Sequence, residues 1–168
     1  MKNKIHLRTI AKTTRKGLDI KTISQVLCEK LRQEESYKSA QHVMLFYPLA
    51  YEIDTLELLA DKKSFYFPKV NGEDLFACPF VEDMEISNFG IKEPCSEPVA
   101  PDILDLIIVP ALMVDKNGYR LGYGGGFYDR FLKKCHNAIT VVLIPKELYI
   151  NELPCEDFDV KIDKIITF

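Results

Sequence analysis

The chain has 168 residues, 47% hydrophobic and 28% charged, with 8 glycines and 9 prolines; this suits one globular domain over 1–168 and excludes disordered or fibrous architectures. With 22 Lys and Arg against 25 Asp and Glu, a net charge of -3, the chain lacks an overall nucleic-acid footprint, so any anion site is local. No segment approaches the roughly 20 apolar residues of a membrane span, the start of the chain lacks the apolar stretch of a signal peptide, and the five cysteines are scattered without zinc-ligand spacing, so a cytoplasmic protein with reduced thiols is expected.

Residues 1–34 read as helical, with a weak point at Gly17 and a restart capped by Asp19, after which Ile20, Ile23, Leu27 and Leu31 recur at helical spacing. Before Asp19 the chain carries Lys2, Lys4, Arg8, Lys12, Arg15 and Lys16 without an acid, and a helix puts positions 4, 8, 12 and 15 on one stripe. Such a stripe fits a solvated face or a weak nucleic-acid contact as well as a polyphosphate partner. HVMLFYPL, ended by Pro48, suits a buried strand. Glu52 follows at the strand's carboxyl end, where ligands bind in open α/β sheets, although an exposed first-turn acid is the plainer reading. Asp54 and Glu57 resemble a capping box, which predicts a helix through LELLADKK.

SFYFPKV and DLFACPF flank Asn71 and Gly72, a pair suited to the positive φ angles of a tight turn, and so predict a β-hairpin. The proline-dense EPCSEPVAP reads as a surface connection. LDLIIVP, without polar alternation, predicts a central strand buried on both faces. After the glycines of GYGGG, Phe127, Phe131, Leu132 and Cys135 lie at helical spacing, AITVVLIP is another buried strand, and VKIDKIITF closes the chain as a strand. Strands alternating with helices point to an α/β sandwich. Cys135 and His136 are adjacent, but neighbouring side chains on a helix diverge, which disfavours a nucleophile and base pair.

The order buried strand, loop (ALMVDKNGYRL), glycines, helix (FYDRFLKKC) is the one in which backbone N–H groups and a helix N-terminus face an anion. Arg120, always charged and able to bond two phosphate oxygens, stands just before Gly122, Gly124, Gly125 and Gly126. A Walker A loop is excluded by Phe127 and Tyr128 where Lys and Ser/Thr belong, and a dinucleotide fingerprint by Phe127 or Asp129 at its last glycine position. The glycines alone fit a tight structural turn equally well. Asp129 fits a helix-dipole role, or Mg²⁺ bridging if phosphate sits on the glycines.

Taken together, VPALMVDKNGYRLGYGGGFYDRFL (Val109 to Leu132), YPLAYEIDT (Tyr47 to Thr55), KIHLR (Lys4 to Arg8) and FDVKIDKIIT near the C-terminus resemble the 5-formyltetrahydrofolate cyclo-ligase family, also called 5,10-methenyltetrahydrofolate synthetases. The blocks span nearly the whole chain in family order. The resemblance implies a three-layer Rossmann-like sandwich with a mostly parallel central sheet and an additional β-hairpin. It also implies ATP- and Mg²⁺-dependent closure of 5-formyltetrahydrofolate to 5,10-methenyltetrahydrofolate through a phosphorylated formyl group that N10 attacks, with release of ADP and phosphate. By matching position, Lys4, Arg8, Arg120, Leu121, Gly122, Tyr123, Gly124, Gly125, Gly126, Phe127 and Tyr128 hold ATP, with Arg120 as the catalytic cation. Asp129 and Asp159 take Mg²⁺, and Glu52 and Tyr47 take the folate, whose pterin edge offers two parallel donors to a carboxylate.

Some members carry a basic residue in the glycine block where this chain has Tyr123 or Gly125; Lys69 or Lys92 are candidates to compensate. The partner implied is 5-formyltetrahydrofolate, polyglutamylated forms included, with no nucleic acid or membrane, and a monomer is expected. Two alternatives are a regulatory nucleotide-binding module built on the same block and a nucleic-acid-binding domain using the basic helix. The full YEIDT block disfavours the first, and the net charge of -3 the second.

Overall fold

Asn3 caps the first helix by accepting a hydrogen bond from the His6 N–H, and α1 (Lys4–Lys16) then runs to a C-cap at Gly17 in the computed structural model, which describes residues 3–168. Lys2, the first of the basic residues before Asp19, lies outside the described residues. The Asp19 side chain accepts from the Thr22 N–H and starts α2 (Ile20–Gln33), as its position predicts. The short α3 (Glu35–Ser39) follows.

The strands are β1 (His42–Met44), β2 (Ser64–Asn71), β3 (Asp74–Pro79), β4 (Met84–Ile86), β5 (Lys92–Pro94), β6 (Leu106–Ile108), β7 (Met113–Asp115), β8 (Arg120–Leu121), β9 (Ile139–Ile144), β10 (Tyr149–Ile150) and β11 (Lys164–Thr167), with α4 (Phe127–Leu132) between β8 and β9. Six of them form one sheet in the order β11-β9-β6-β1-β2-β3. All its pairings are parallel except the β2–β3 hairpin at one edge. LDLIIVP therefore supplies an interior strand, β6, with every residue buried.

Because side chains alternate across a strand, the sheet feeds two cores. Met44, Tyr66, Ile107 and Val142 face α1 and α4, packing with Leu7, Ala11, Phe131 and Leu132. Val43, Leu45, Leu106, Ile108, Val141 and Leu143 face α2 and α3, packing with Ile23, Leu27, Leu31 and Tyr37. Helices on both faces of a mostly parallel sheet make the three-layer α/β sandwich expected from the sequence. No helix among the described residues is long and apolar enough to cross a membrane.

Several local expectations are corrected. Leu56–Ala60 is a five-residue 3-10 turn rather than a helix. Asp54 spends its carboxylate on the Leu56 N–H two residues on, and Glu57 accepts from Arg32 Nη1 at 2.9 Å, so no capping box forms. In the β2–β3 hairpin, Asn71 pairs with Asp74, and the two-residue loop is Gly72-Glu73, with Gly72 at φ 63°. The loop 111–121 is a strand pair, β7 with β8, joined in parallel by β10 into a second, three-stranded sheet. The buried Asp115 organises it: Oδ1 accepts from the N–H groups of Asn117 and Tyr119 at 2.9 Å each, and Oδ2 from that of Leu153 at 2.8 Å. Finally, α4 stops at Leu132, six residues in all, too short for its dipole to contribute much to anion binding. The proline-dense segment is partly structured, since Pro94 ends β5 and Val99 bridges to Ala77.

Candidate functional site

A cleft of about 400 Å³ opens over the carboxyl ends of the neighbouring strands β6, β1 and β2. Pro110 reaches it from β6, Phe46 and Tyr47 from β1, and Pro68 and Val70 from β2. The opposite wall is the glycine run, from Tyr123 to Tyr128 with Arg120 beneath it. The crevice beyond the carboxyl ends of parallel strands is the edge where open α/β sheets bind ligands, because the connecting loops there are free to vary.

The glycine run folds as it does because its backbone enters φ regions that other residues rarely adopt, at Gly124 and Gly126. Gly124 has φ 109°, and a Cβ there would meet the Arg8 guanidinium at 3.4 Å. Gly126 caps α4 in the left-handed region at φ 70°, and its Cβ would stand 2.6 Å from Arg130 Nη1. Two arginines brace the run from outside: Arg8 Nε donates to the Gly122 carbonyl at 2.8 Å, and Arg130 Nη1 donates to that of Gly125 at 3.0 Å. Arg130 also donates to the Glu73 carbonyl, which ties the β2–β3 turn to the loop.

Arg120 is the buried cation of the site, its side chain only 5% exposed. Nη1 donates to the Pro110 carbonyl at 3.2 Å, Nη2 stands 3.6 Å from Asp129 Oδ1, and Nε has no hydrogen-bond partner among the described residues. Burial pushes its pKa down, against the pull of Asp129, Tyr128 and Asp159. Its guanidinium also lies 5.6 Å from the centre of the Tyr128 ring. A buried guanidinium with an idle donor is under-compensated, and an anion is what would complete it.

Behind the loop, Lys4 Nζ donates to Asp159 at 2.7 Å and Glu156 at 3.1 Å. Burial opposes the Lys4 charge, but those two carboxylates outweigh it and raise the pKa. Asp159 Oδ2 also accepts from the Glu156 N–H, and Asp129 Oδ1 from the N–H of Val160, the residue after Asp159. The two aspartates thus hang on one loop beside Arg120. Each leaves one oxygen, Asp129 Oδ2 and Asp159 Oδ1, outside any hydrogen bond among the described residues. No group of three or more metal-ligating side chains occurs among those residues. Two carboxylates are too few for an all-protein cage but match Mg²⁺ shared with phosphate oxygens.

Across the cleft, Glu52 is 7% exposed. Its Oε2 accepts from the Leu49 N–H at 2.6 Å and its Oε1 from the Tyr123 hydroxyl at 2.7 Å. Burial, then the Glu52 charge and hydrogen bond, push the Tyr123 phenol pKa upward. Tyr47 lines the same cleft with Lys92 Nζ 5.2 Å from its ring centre.

The sequence-derived residues therefore divide. Tyr47, Glu52, Arg120, Tyr123, Gly124, Gly125, Gly126, Phe127 and Tyr128 line one cleft. Lys4, Arg8, Gly122, Asp129 and Asp159 form the shell behind the loop. Leu121 is different: its side chain is core and its carbonyl accepts from Leu112. Of the basic stripe, Lys4 and Arg8 face the loop and Lys12 stacks 5.9 Å from the Tyr123 ring centre. Arg15 is instead buried, donating to the carbonyls of Tyr51, Ala111 and Leu112 as a structural clamp. Lys69 falls between Pro68 and Val70, which both reach the cleft, so strand alternation turns it away; Lys92 reaches the rim through Tyr47. His136 pairs with Asp102, and burial pushes the Cys135 thiol up to about 12, so these neighbours are not a catalytic pair.

Sequence reasoning missed Phe89, at the tip of the β4–β5 hairpin, which lines the cleft and sits edge-on to Phe127 with ring centres 6.0 Å apart. Its signal is an aromatic beside Gly90 in a turn, 61% exposed, a pattern that becomes informative only once the hairpin is placed over the site.

The model of the 5-formyltetrahydrofolate cyclo-ligase family matches residues 3–168. The mouse 5-formyltetrahydrofolate cyclo-ligase is 27% identical over 164 residues, 85% of this chain and 81% of the mouse protein. The Haemophilus influenzae enzyme of the same name is 32% identical over 143 residues, 77% of this chain and 76% of its own length. Among solved structures, Aquifex aeolicus 5,10-methenyltetrahydrofolate synthetase superposes with a TM-score of 0.87 at 29% identity, covering 98% of this chain and 89% of that one. The Mycoplasma pneumoniae 5,10-methenyltetrahydrofolate synthetase shares the fold at a TM-score of 0.79 and 19% identity, covering 98% of both chains.

Proposed function

Because the chain belongs to the 5-formyltetrahydrofolate cyclo-ligase family, we propose that it converts 5-formyltetrahydrofolate to 5,10-methenyltetrahydrofolate, using ATP and releasing ADP and phosphate. The observation that carries this reading is the polarity of a single cleft. One wall presents an under-compensated buried Arg120 beneath glycine backbone, and the other a buried carboxylate, Glu52, with acceptor capacity to spare. A phosphate donor and a substrate with paired N–H donors can therefore meet within it.

The formamide oxygen of the substrate is a poor leaving group. Transfer of the γ-phosphoryl group of ATP to that oxygen releases ADP and leaves an iminium phosphate; N10 then attacks the formyl carbon, loses its proton, and phosphate departs as the ring closes. Such a sequence asks the protein for positioning and charge stabilisation rather than a nucleophilic side chain. Arg120 stabilises charge on the transferring group, while Lys4, Arg8 and the backbone from Gly122 to Tyr128 hold the polyphosphate. Glu52 and Tyr47 take the pterin end of the folate.

Asp129 and Asp159 would hold Mg²⁺ through their free oxygens, and the ion supplies neutralisation of phosphate charge when bound. Lys4 bonds Asp159 through Oδ2 alone, so Asp159 Oδ1 would stay available to the ion. One chain supplies every group assigned, so a monomer suffices.

The test is direct. Purified protein given 5-formyltetrahydrofolate, ATP and Mg²⁺ develops the absorbance of the methenyl product with stoichiometric ADP. Absence of product while the protein still binds ATP would sink the ligase reading and favour a regulatory nucleotide-binding module.

A further inference from the structure

Tyr123 sits inside the glycine run, where the resemblance assigns it to ATP, yet its hydroxyl is directed across the cleft to Glu52 Oε1 at 2.7 Å. The contact joins residues 71 positions apart in the chain, and among the described residues no other hydrogen bond of Glu52 comes from outside its own turn. The remaining bonds are local: the Leu49 N–H to Oε2, and the Glu52 N–H to the Leu49 carbonyl at 3.1 Å. That turn holds Tyr51 at φ 65° and is pinned through the Tyr51 carbonyl by Arg15 Nη1 at 3.0 Å.

We propose that the Tyr123 side chain is a positioning group for the folate side of the site, fixing the Glu52 carboxylate, and that the residue meets the nucleotide through its backbone alone. The inference rests on the ligase reading above. A carboxylate has about four acceptor positions. Leu49 and Tyr123 occupy one on each oxygen, which leaves one on each for two parallel N–H donors of the pterin edge. With the Leu49 bond alone, the carboxylate is free to turn about its last torsion, and two-point recognition loses its geometry. A neutral phenol also offers a polyphosphate no charge, and a hydroxyl committed to Glu52 is not directed at the glycine backbone. Lys12, 5.9 Å from the ring centre on α1, is the cation packed against the ring.

The experiment compares wild-type protein with Tyr123→Phe, Glu52→Gln and the double variant. It combines equilibrium binding of 5-formyltetrahydrofolate without ATP, steady-state kinetics for both substrates, and thermal melts. Losing one hydrogen bond to a charged group predicts a Tyr123→Phe chain that binds the folate about tenfold more weakly. The KM for ATP stays within about twofold and the melt remains a single folded transition, a split between the two substrates that a general structural role does not produce. Glu52→Gln loses more, and the double variant resembles it, because Tyr123 acts only through Glu52. A Tyr123→Phe protein with raised KM for ATP and unchanged folate binding overturns the inference, as does a double variant in which the two losses add. Folate binding by the wild type that Tyr123→Phe leaves intact overturns this inference alone. No folate binding by the wild type overturns the ligase reading and this inference with it.

Discussion

Two arginine–aspartate pairs among the described residues handle charge in opposite ways. Arg32, on α2, donates to Asp61 at 3.1 Å and Glu57 at 2.9 Å, while Tyr37 donates to the same Asp61 at 2.7 Å. The hydrogen bond to Asp61 does most to raise the Arg32 pKa. Arg120 has its aspartate at 3.6 Å, an idle Nε, and a pKa lowered by burial. The first pair is complete and serves the fold. The second is held by its surroundings in a costly environment and left open toward the cleft, which is how a site preorganises charge for a reaction.

That contrast is sharpest if the charge of Arg120 is removed while its length is kept. Arg120→Met is expected to lower kcat/KM for the folate reaction by about 10²–10³-fold, the loss typical of one preorganised charge-stabilising donor. Thermal melts are expected to show equal or higher stability, since the variant no longer buries an under-compensated guanidinium. A lowered melting temperature with intact kinetics would make Arg120 a structural residue like Arg32 and erase the distinction.

Asp129→Asn probes the same pair from the acidic side. The Mg²⁺ concentration for half-maximal activity is expected to rise by on the order of tenfold or more, because even partners outside the metal's own ligands matter at this level. An identical Mg²⁺ titration would leave Asp129 with only its bond to the Val160 N–H and its place in the first turn of α4.

The smallest effect, and the one that calibrates the others, is at the closed pair. Asp61→Asn is expected to cost about 1–2 kcal/mol at neutral pH, after discounting for solvent screening, with kinetics unchanged. Burial opposes the Asp61 charge, but Arg32 and Tyr37 outweigh it and hold the pKa below its ordinary 3.8. A depressed folded pKa adds stability above 3.8 that is lost as pH falls through the folded value. Wild-type and variant melting temperatures should therefore converge in acid; a gap that persists there would mean that packing, not charge, makes Asp61 matter.

Legibility from sequence followed the range of the forces involved. Asp19 as a cap, LDLIIVP as an interior strand and the β2–β3 hairpin were all readable, because capping, burial period and turn chemistry act between near neighbours in the chain. The capping box suggested by Asp54 and Glu57 fails to form for a related reason: Glu57 has a better partner in Arg32, 25 residues away. Asp115 gave no local sign of its importance, since its value lies in bridging its own turn to Leu153, 38 residues on. Phe89 was invisible for want of any knowledge of where its hairpin would stand.

At the site, the glycines, Arg120 and the helix start raise phosphate beside a plain structural turn; the alternation of strands and helices points to an α/β sandwich, and four matching blocks point to the ligase family. What packing alone decided is who faces whom. Lys4 meets Asp159 across 155 positions, Arg8 holds Gly122 across 114, and Tyr123 turns from the glycine loop to Glu52 across 71. Periodicity and propensity are properties of neighbours along the chain, whereas the direction of a side chain in a cleft depends on how loops from separate strands come to rest on one sheet edge. For that reason Tyr123 reads from its block as part of a nucleotide grip, and in the folded chain its side-chain hydroxyl bonds to the opposite wall.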